Sequence, residues 1–338
     1  MTWSSPVKLS LLAAAIPIAV VLSVALGRYG LSPGTVIEIM ASRLVDLPRH
    51  WTDQAETVVF DVRLPRIAAA MLVGLALSSS GAAYQALFRN PLVSPDVLGV
   101  SAGAGFGAAI AILTAAGPFG VEALAFVFGT IAVLSTYGIA ARIGNAGAGA
   151  LMLILSGIII ETLFTAFISA VKYVADPDNA LPGITYWLLG GLSSVDGREV
   201  AVAAGPILAG FAVIMLLRWK LDIMTFGDEE ARALGVNTRL IRVAIVLSAT
   251  LMTASAVAIS GVIGLLGLIV PHMARAILGP SFSTLVLGSG LLGALFVLVM
   301  DDLSRSLFKT EIPLGILTQI IGAPLFLVLL ARSRRGWA

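Results

Sequence analysis

Only 12% of the 338 residues are charged, so the positions of the few acids and bases carry information. The segment Gly227-Asp228-Glu229-Glu230-Ala231-Arg232-Ala233-Leu234-Gly235 places three acids and one arginine between two glycines. Acids at the start and a base near the end suit the helix macrodipole, and the spacing predicts a helix of one to two turns. Such a short charged helix has nothing of its own to pack against. It is either a solvated loop or a surface offered to a protein partner. Glu161 poses the opposite problem, a single acid inside the apolar run from Leu151 to Val174. An acid at the centre of a membrane helix costs about 2.5–3.5 kcal/mol on insertion scales. Glu161 must therefore face the helix bundle, a water-filled path or a partner, or carry a proton. It is a pathway lining or proton relay in one reading, and an acid hydrogen-bonded to a neighbouring Ser or Thr in the other. His272, directly after Pro271, lacks the neighbouring carboxylates or thiols of a metal site and reads as structural. His50, the second of two histidines, has no chemistry around it. Without cysteines there are no disulfides or thiolate sites.

Several chemistries are missing from the chain altogether. It has no Gly-x-x-x-x-Gly-Lys-[Ser/Thr] loop to cradle nucleotide phosphates, no Gly-x-Ser-x-Gly elbow and no His-Glu-x-x-His pair. No catalytic residue or bound cofactor is expected. If ATP drives this protein, another chain must hydrolyse it.

The elements that hold these residues are membrane helices. Hydrophobic residues make up 58% of the chain and the mean hydropathy is +1.01, against about 25% charged residues in an ordinary soluble domain. A spanning helix needs about 20 apolar residues. Ten apolar segments meet or approach that length, at roughly 9–27, 65–84, 97–115, 121–141, 151–174, 199–217, 241–260, 262–278, 284–303 and 313–331. The fold class is all-α, a polytopic membrane protein read as a single domain over 1–338. The eighth segment is broken by Gly261, Gly264, Gly267 and Pro271, so it belongs inside the bundle or beside a cavity, where freed backbone groups find partners. The segment 28–62 is too polar to span and reads as an external stretch with a short surface helix. The first apolar segment lacks a clear small-residue cleavage site and reads as a retained helix. With the N-terminus inside, twelve of the 21 basic residues fall on the cytoplasmic side, among them Arg89, Arg142, Arg218, Lys220 and Arg232. Most acids fall outside, and the C-terminus returns to the cytoplasm. The pI of about 9.1 reflects basic loops, not a nucleic-acid surface.

The 227–235 loop resembles the coupling helices of the FecCD-type permeases, a family of importers for iron chelates, haem and vitamin B12. Six more stretches resemble that family in the same order: Arg63-Leu-Pro-Arg66, Gln85-Ala-Leu-Phe-Arg-Asn-Pro-Leu-Val-Ser-Pro95, Leu98-Gly-Val-Ser-Ala-Gly103, Tyr186-Trp-Leu-Leu-Gly-Gly191, Gly264-Leu-Leu-Gly-Leu-Ile-Val-Pro-His272 and Glu311-Ile-Pro-Leu-Gly-Ile-Leu-Thr-Gln-Ile-Ile-Gly-Ala-Pro324. The resemblance implies the type II ABC importer fold in a bacterial inner membrane. It also implies a second permease copy, two cytoplasmic ATPase subunits carrying ATP and magnesium, a periplasmic binding protein and a lipid surround. It assigns Gly227 to Arg232, Leu234 and Gly235 to ATPase coupling, and Asn90, Pro91 and Leu92 to a cytoplasmic gate; the loop at 147–150 falls where the family has a second gate, but its residues do not match. It assigns Arg63, Arg66 and Arg305 to docking the acids of the binding protein. Physical chemistry permits that role, because guanidinium forks grip carboxylates bidentately. The same arginines also suit anchoring at the membrane interface, or pairing with Asp61, Asp301 or Asp302. Within the family the resemblance does not select the cargo: ferric siderophore is the first expectation, beside haem, vitamin B12 and molybdate. The alternative from outside the family is an ion-coupled secondary transporter working through Glu161.

Overall fold

Uniformly apolar segments form helices here because no polar face competes with lipid or with other helices for their sides. The computed structural model describes residues 5–27, 29–46, 48–143 and 149–333. Each of the ten apolar segments is a helix: α1 (Ser5–Ala25), α4 (Leu64–Leu87), α5 (Val100–Leu113), α6 (Gly117–Ile143), α7 (Gly149–Val174), α9 (Gly197–Met224), α11 (Thr238–Ser260), α12 (Leu266–Leu278), α13 (Phe282–Ser306) and α14 (Leu314–Ser333). Among the described residues no strand is present, and six helices are long and apolar enough to cross a membrane by length and composition. The remaining elements are short. The polar stretch 28–62 holds two helices, α2 (Pro33–Ala41) and α3 (Asp53–Thr57), and a π-helical turn, Val58–Arg63, where a single surface helix was expected. Ser32 and Thr52 cap α2 and α3 by accepting from Thr35 N–H and Ala55 N–H at 3.1 and 3.2 Å. A 3-10 turn (Pro95–Leu98) precedes α5, α8 (Ala180–Leu188) follows α7, and α10 (Asp228–Ala233) joins α9 to α11.

Helix α4 is the hub. It is buried from Arg66 to Leu87 with few interruptions and packs against α9, α11, α12 and α13. Helices α5 to α8 form a second group, joined to the first through α11. The periphery differs sharply. In α11 78% of the best spanning window is buried, against 11% in α1 and 28–33% in α6, α7 and α9. The open sides of those outer helices are apolar, so lipid or another protein must cover them.

The broken eighth segment shows how the bundle tolerates a defect. Residues 261–265 are non-helical, Leu265 has φ +69°, and α12 starts only at Leu266. Pro271 lies inside α12 and has no N–H to give Gly267, four residues back. The Gln85 side chain of α4 fills that role, donating to Gly267 O at 3.2 Å, while its own carbonyl accepts from Arg275 at 3.2 Å. Gly81 makes this possible, since a Cβ there would lie 2.0 Å from Gly267 O. The two ends of the extended stretch are tied locally: Gly261 N–H donates to Val257 O at 2.9 Å, and Leu265 O accepts from Leu268 N–H and Ile269 N–H at 3.1 and 2.9 Å.

Candidate functional site

The chemistry-bearing residues sort to three places: the α10 end of the bundle, the opposite end around Arg66, and the open side of α7.

At the first end, α10 stands on a braced pedestal. Gly227 has φ +137°, which turns the chain sharply between α9 and α10. Ala231 is fully buried, and Asp228 pairs with Arg242 of α11 at 2.9 Å. Arg232 donates to Thr238 Oγ1 at 3.3 Å and lies 3.9 Å from Asp228. Around this charged turn stand three large apolar side chains, Phe226, Leu234 and Leu240, 75%, 67% and 60% exposed. Glu229 and Glu230 are exposed beside them. A solvated loop would not be braced at its base while holding apolar side chains outward, so the partner-surface reading is the one the geometry favours. The base extends further than the motif indicates. Asp222, near the end of α9, accepts from Phe282 N–H at 2.7 Å and Ser283 N–H at 3.2 Å, and so caps the start of α13. Replacing Asp222 by alanine is expected to destabilise the protein by about 1–2 kcal/mol, read as a lowered thermal midpoint in detergent; an unchanged midpoint would remove this tie.

At the opposite end the three arginines are buried, with relative exposures of 5% for Arg63, 9% for Arg66 and 7% for Arg305. Arg63 donates to the carbonyls of Val24, Ala25 and Tyr29, and Arg305 to those of Ser23 and Leu26, so the two clasp the last turn of α1. Burial and the nearby Arg305 pull the Arg63 pKa below the usual arginine range. Arg66 forks onto Asp301 at 2.9 and 3.0 Å and onto Glu311 at 3.0 and 3.1 Å. Arg305 also bonds Asp302 and lies 3.6 Å from Asp301. The arrangement matches the pairing reading, with Asp301 and Asp302 as expected, Asp61 not involved, and Glu311 and the α1 carbonyls unforeseen. None of the three stands as a free cation for a docking partner. Arg66 alone holds a carboxylate with appreciable exposure, Glu311 at 29% of its side chain.

Asn90, Pro91 and Leu92 form a tight turn after α4. Asn90 Oδ1 accepts from Leu92 N–H at 2.9 Å, an Asx-type turn, and Leu92 is 54% exposed. Of the second gate segment, 147 and 148 lie outside the described residues, as do Arg28, Arg334 and Arg335. His272 Nδ1 donates to Leu268 O, 3.1 Å away, and the ring meets Phe326 edge-on at 5.3 Å, a packing role. Among the described residues no three His, Cys, Asp or Glu gather as a metal site.

Helix α7 has three faces. At about 100° per residue, Leu153, Gly157, Ile160, Phe164 and Val171 share the buried side. Ile159, Leu163, Ala166, Phe167, Ala170 and Val174 form an exposed apolar stripe. Glu161, Thr162, Thr165 and Ser169 form an exposed polar stripe beside it, with half-buried Lys172 at its far end. The hydroxyls of Thr162 and Ser169 are spent on Ile158 O and Thr165 O, at 2.7 and 2.9 Å. Among the described residues no hydrogen bond or ion pair holds the Glu161 carboxylate, so the reading of an acid tied to a neighbouring hydroxyl is not what the geometry gives. Sequence reasoning also missed a cavity of about 370 Å³ between α5, α6, α8, α9 and α11, where Glu122 and Glu199 meet beside Tyr186 and Trp187.

The profile of the FecCD transport family matches residues 15–332. The chain belongs to that family. Its relatives include the molybdate import system permease MolB of Haemophilus influenzae, 36% identical over 321 residues that cover 94% of each chain. A Helicobacter pylori permease assigned to iron chelatin transport is 37% identical over 277 residues, covering 82% of this chain and 83% of its own. A solved structure, reported as an inward-facing conformation of an ABC transporter assigned to the metal-chelate type, superposes with a TM-score of 0.85. It is 35% identical and covers 97% of this chain and 99% of its own. This FecCD chain is therefore a multi-pass membrane permease of the ABC importer type, a transport subunit and not itself catalytic. Family membership sets aside the ion-coupled secondary transporter as an account of Glu161.

Proposed function

We propose that two copies of this FecCD permease enclose one transport path between them and import a ferric chelate across a bacterial inner membrane. ATP is hydrolysed elsewhere, in two ATPase subunits that carry ATP and magnesium and grip α10. The observation that carries this reading is the braced α10 with Phe226, Leu234 and Leu240 turned outward. A partner seated on those side chains would move α9 and α11 directly. The α10 end then faces the cytoplasm, in keeping with the basic residues that gather there, and both termini are cytoplasmic. The turn at Asn90, Pro91 and Leu92 serves as a gate at that end. The three-faced α7 supports the dimer: its apolar stripe suits lipid or the second copy, and its polar stripe suits water.

An external binding protein seats on the opposite end. Its acids meet Arg66 by displacing Glu311, whereas Arg63 and Arg305 remain committed to the end of α1. The iron chelatin relative and the metal-chelate type structure support the choice of a chelate.

The test is co-purification from native membranes in mild detergent, with the natural chain and with Phe226 and Leu234 both replaced by serine. We expect an ATPase subunit to accompany the natural chain and to be lost from the double variant, whose elution as a folded protein stays unchanged. An importer that brings down no ATPase with the natural chain would end this reading. Retention of the ATPase by the double variant would move the coupling surface away from α10.

A further inference from the structure

We infer that Glu161 sets the charge character of the transport path, favouring a neutral or cationic chelate and rejecting oxyanions. The inference rests on the reading that the polar stripe of α7 faces the path.

Glu161 lies near the middle of α7, exposed, on the same face as Thr162, Thr165 and Ser169. Lipid is a poor covering for an exposed carboxyl group without a partner, with the Thr165 hydroxyl one turn away, so water or a polar cargo passes there. The charges around Glu161 do not cancel it. The start of α5 lies alongside, because Gly99, the residue before Val100, backs onto the Glu161 backbone: a Cβ on Gly99 would sit 3.5 Å from Glu161 N. A helix start contributes about half a positive charge. That half charge is already met by Asp96, which precedes α5 and accepts from the Ser101 hydroxyl. Lys172 is the cation on the stripe, eleven residues further along, about 16 Å by helix rise. That is beyond the distance over which charges facing water act strongly at physiological salt. The middle of the stripe is therefore negative, and low-dielectric walls strengthen such a field.

A doubly charged oxyanion is repelled by that field along the whole central stretch. A large chelate with buried metal and a neutral or amine-bearing surface is not. The Haemophilus influenzae molybdate permease is as similar in sequence as the iron chelatin permease, so overall identity does not separate the two cargoes. In this chain the charge at Glu161 favours the chelate.

The natural chain has no cysteine, which makes a direct reading of the path potential clean. Thr165→Cys, one turn beyond Glu161, is introduced alone and together with Glu161→Gln, and the chains are kept in native membrane vesicles with their partners. Reaction rates are measured with a trimethylammonium and a sulfonate methanethiosulfonate reagent and normalised to a free thiol in solution. The cationic reagent is expected to react about tenfold faster than the anionic one, and the preference to fall to about one in the Glu161→Gln background. Equal normalised rates in both backgrounds overturn the role of Glu161 and leave the path reading intact. No reaction with either reagent, in a variant that still brings down its ATPase, shows that the stripe meets no water and overturns the path reading with it.

Discussion

Replacing Asp301 by asparagine is expected to lower the thermal midpoint of the detergent-solubilised protein by roughly 10 °C. Asp301 has no exposed surface and sits between two buried guanidinium groups, those of Arg66 and Arg305. Removing one partner of a buried ion pair leaves uncompensated charge, at a cost of about 3–5 kcal/mol. For a large domain each kilocalorie shifts the midpoint by about 2–4 °C. Glu311 and Asp302 cannot make up the loss, because each already serves one of the two arginines. The companion experiment separates a lost ion pair from a general disturbance. If the carboxylate matters as a counter-charge, Arg66→Met combined with Asp301→Leu should recover most of the midpoint, since well-packed apolar pairs often replace buried ion pairs at little cost. A double variant as unstable as Asp301→Asn alone would mean that shape at this spot, not charge, is what counts.

A second large effect is expected where α4 crosses α13. Gly74 and Gly293 face each other backbone to backbone: a Cβ on Gly74 would lie 2.1 Å from Gly293 O, and one on Gly293 would lie 2.3 Å from Gly74 O. The Ser78 hydroxyl, 2.2 Å from a Cβ on Gly293, could turn aside, but the facing backbone carbonyls cannot, so even alanine must push the two helices apart. Small residues at such crossings let membrane helices pack closely where lipid supplies no hydrophobic drive. Gly74→Ala and Gly293→Ala should each cost about 1–3 kcal/mol, the usual price of overpacking. The double variant should cost much less than the sum, because one substitution already opens the crossing. Thermal midpoints of the four proteins measure this, and strict additivity would show that the glycines do not meet.

The ten helices were readable because each is apolar over most of its length, and a membrane leaves few alternatives for such a segment. The coupling turn was readable for the converse reason, as a knot of charge between glycines. The break before α12 was readable from Gly261, Gly264 and Pro271, although its repair by Gln85 was not, since nothing local links residues 182 positions apart. The same limit hid the partners of the arginines. Asp301 and Asp302 stand in the same short motif as Arg305, but Glu311 and the carbonyls of α1 come together only when α1, α4 and α13 converge. The orientation of Glu161 was also hidden, because an apolar helix shows no strong periodicity to say which side is open.

Helix α13 touches both functional ends of the molecule. Its first turn is held by Asp222 on the α10 pedestal, and its last turns carry Asp301, Asp302 and Arg305 in the opposite cluster. Its 25 residues make a rod about 37 Å long, gripped at both tips and pressed against α4 along its middle. A rod clamped in this way cannot absorb a push at one tip by bending locally. It must slide or tilt as a whole. The two faces of this permease then share one mechanical degree of freedom, and the state of one is legible at the other without any relay of side chains between them.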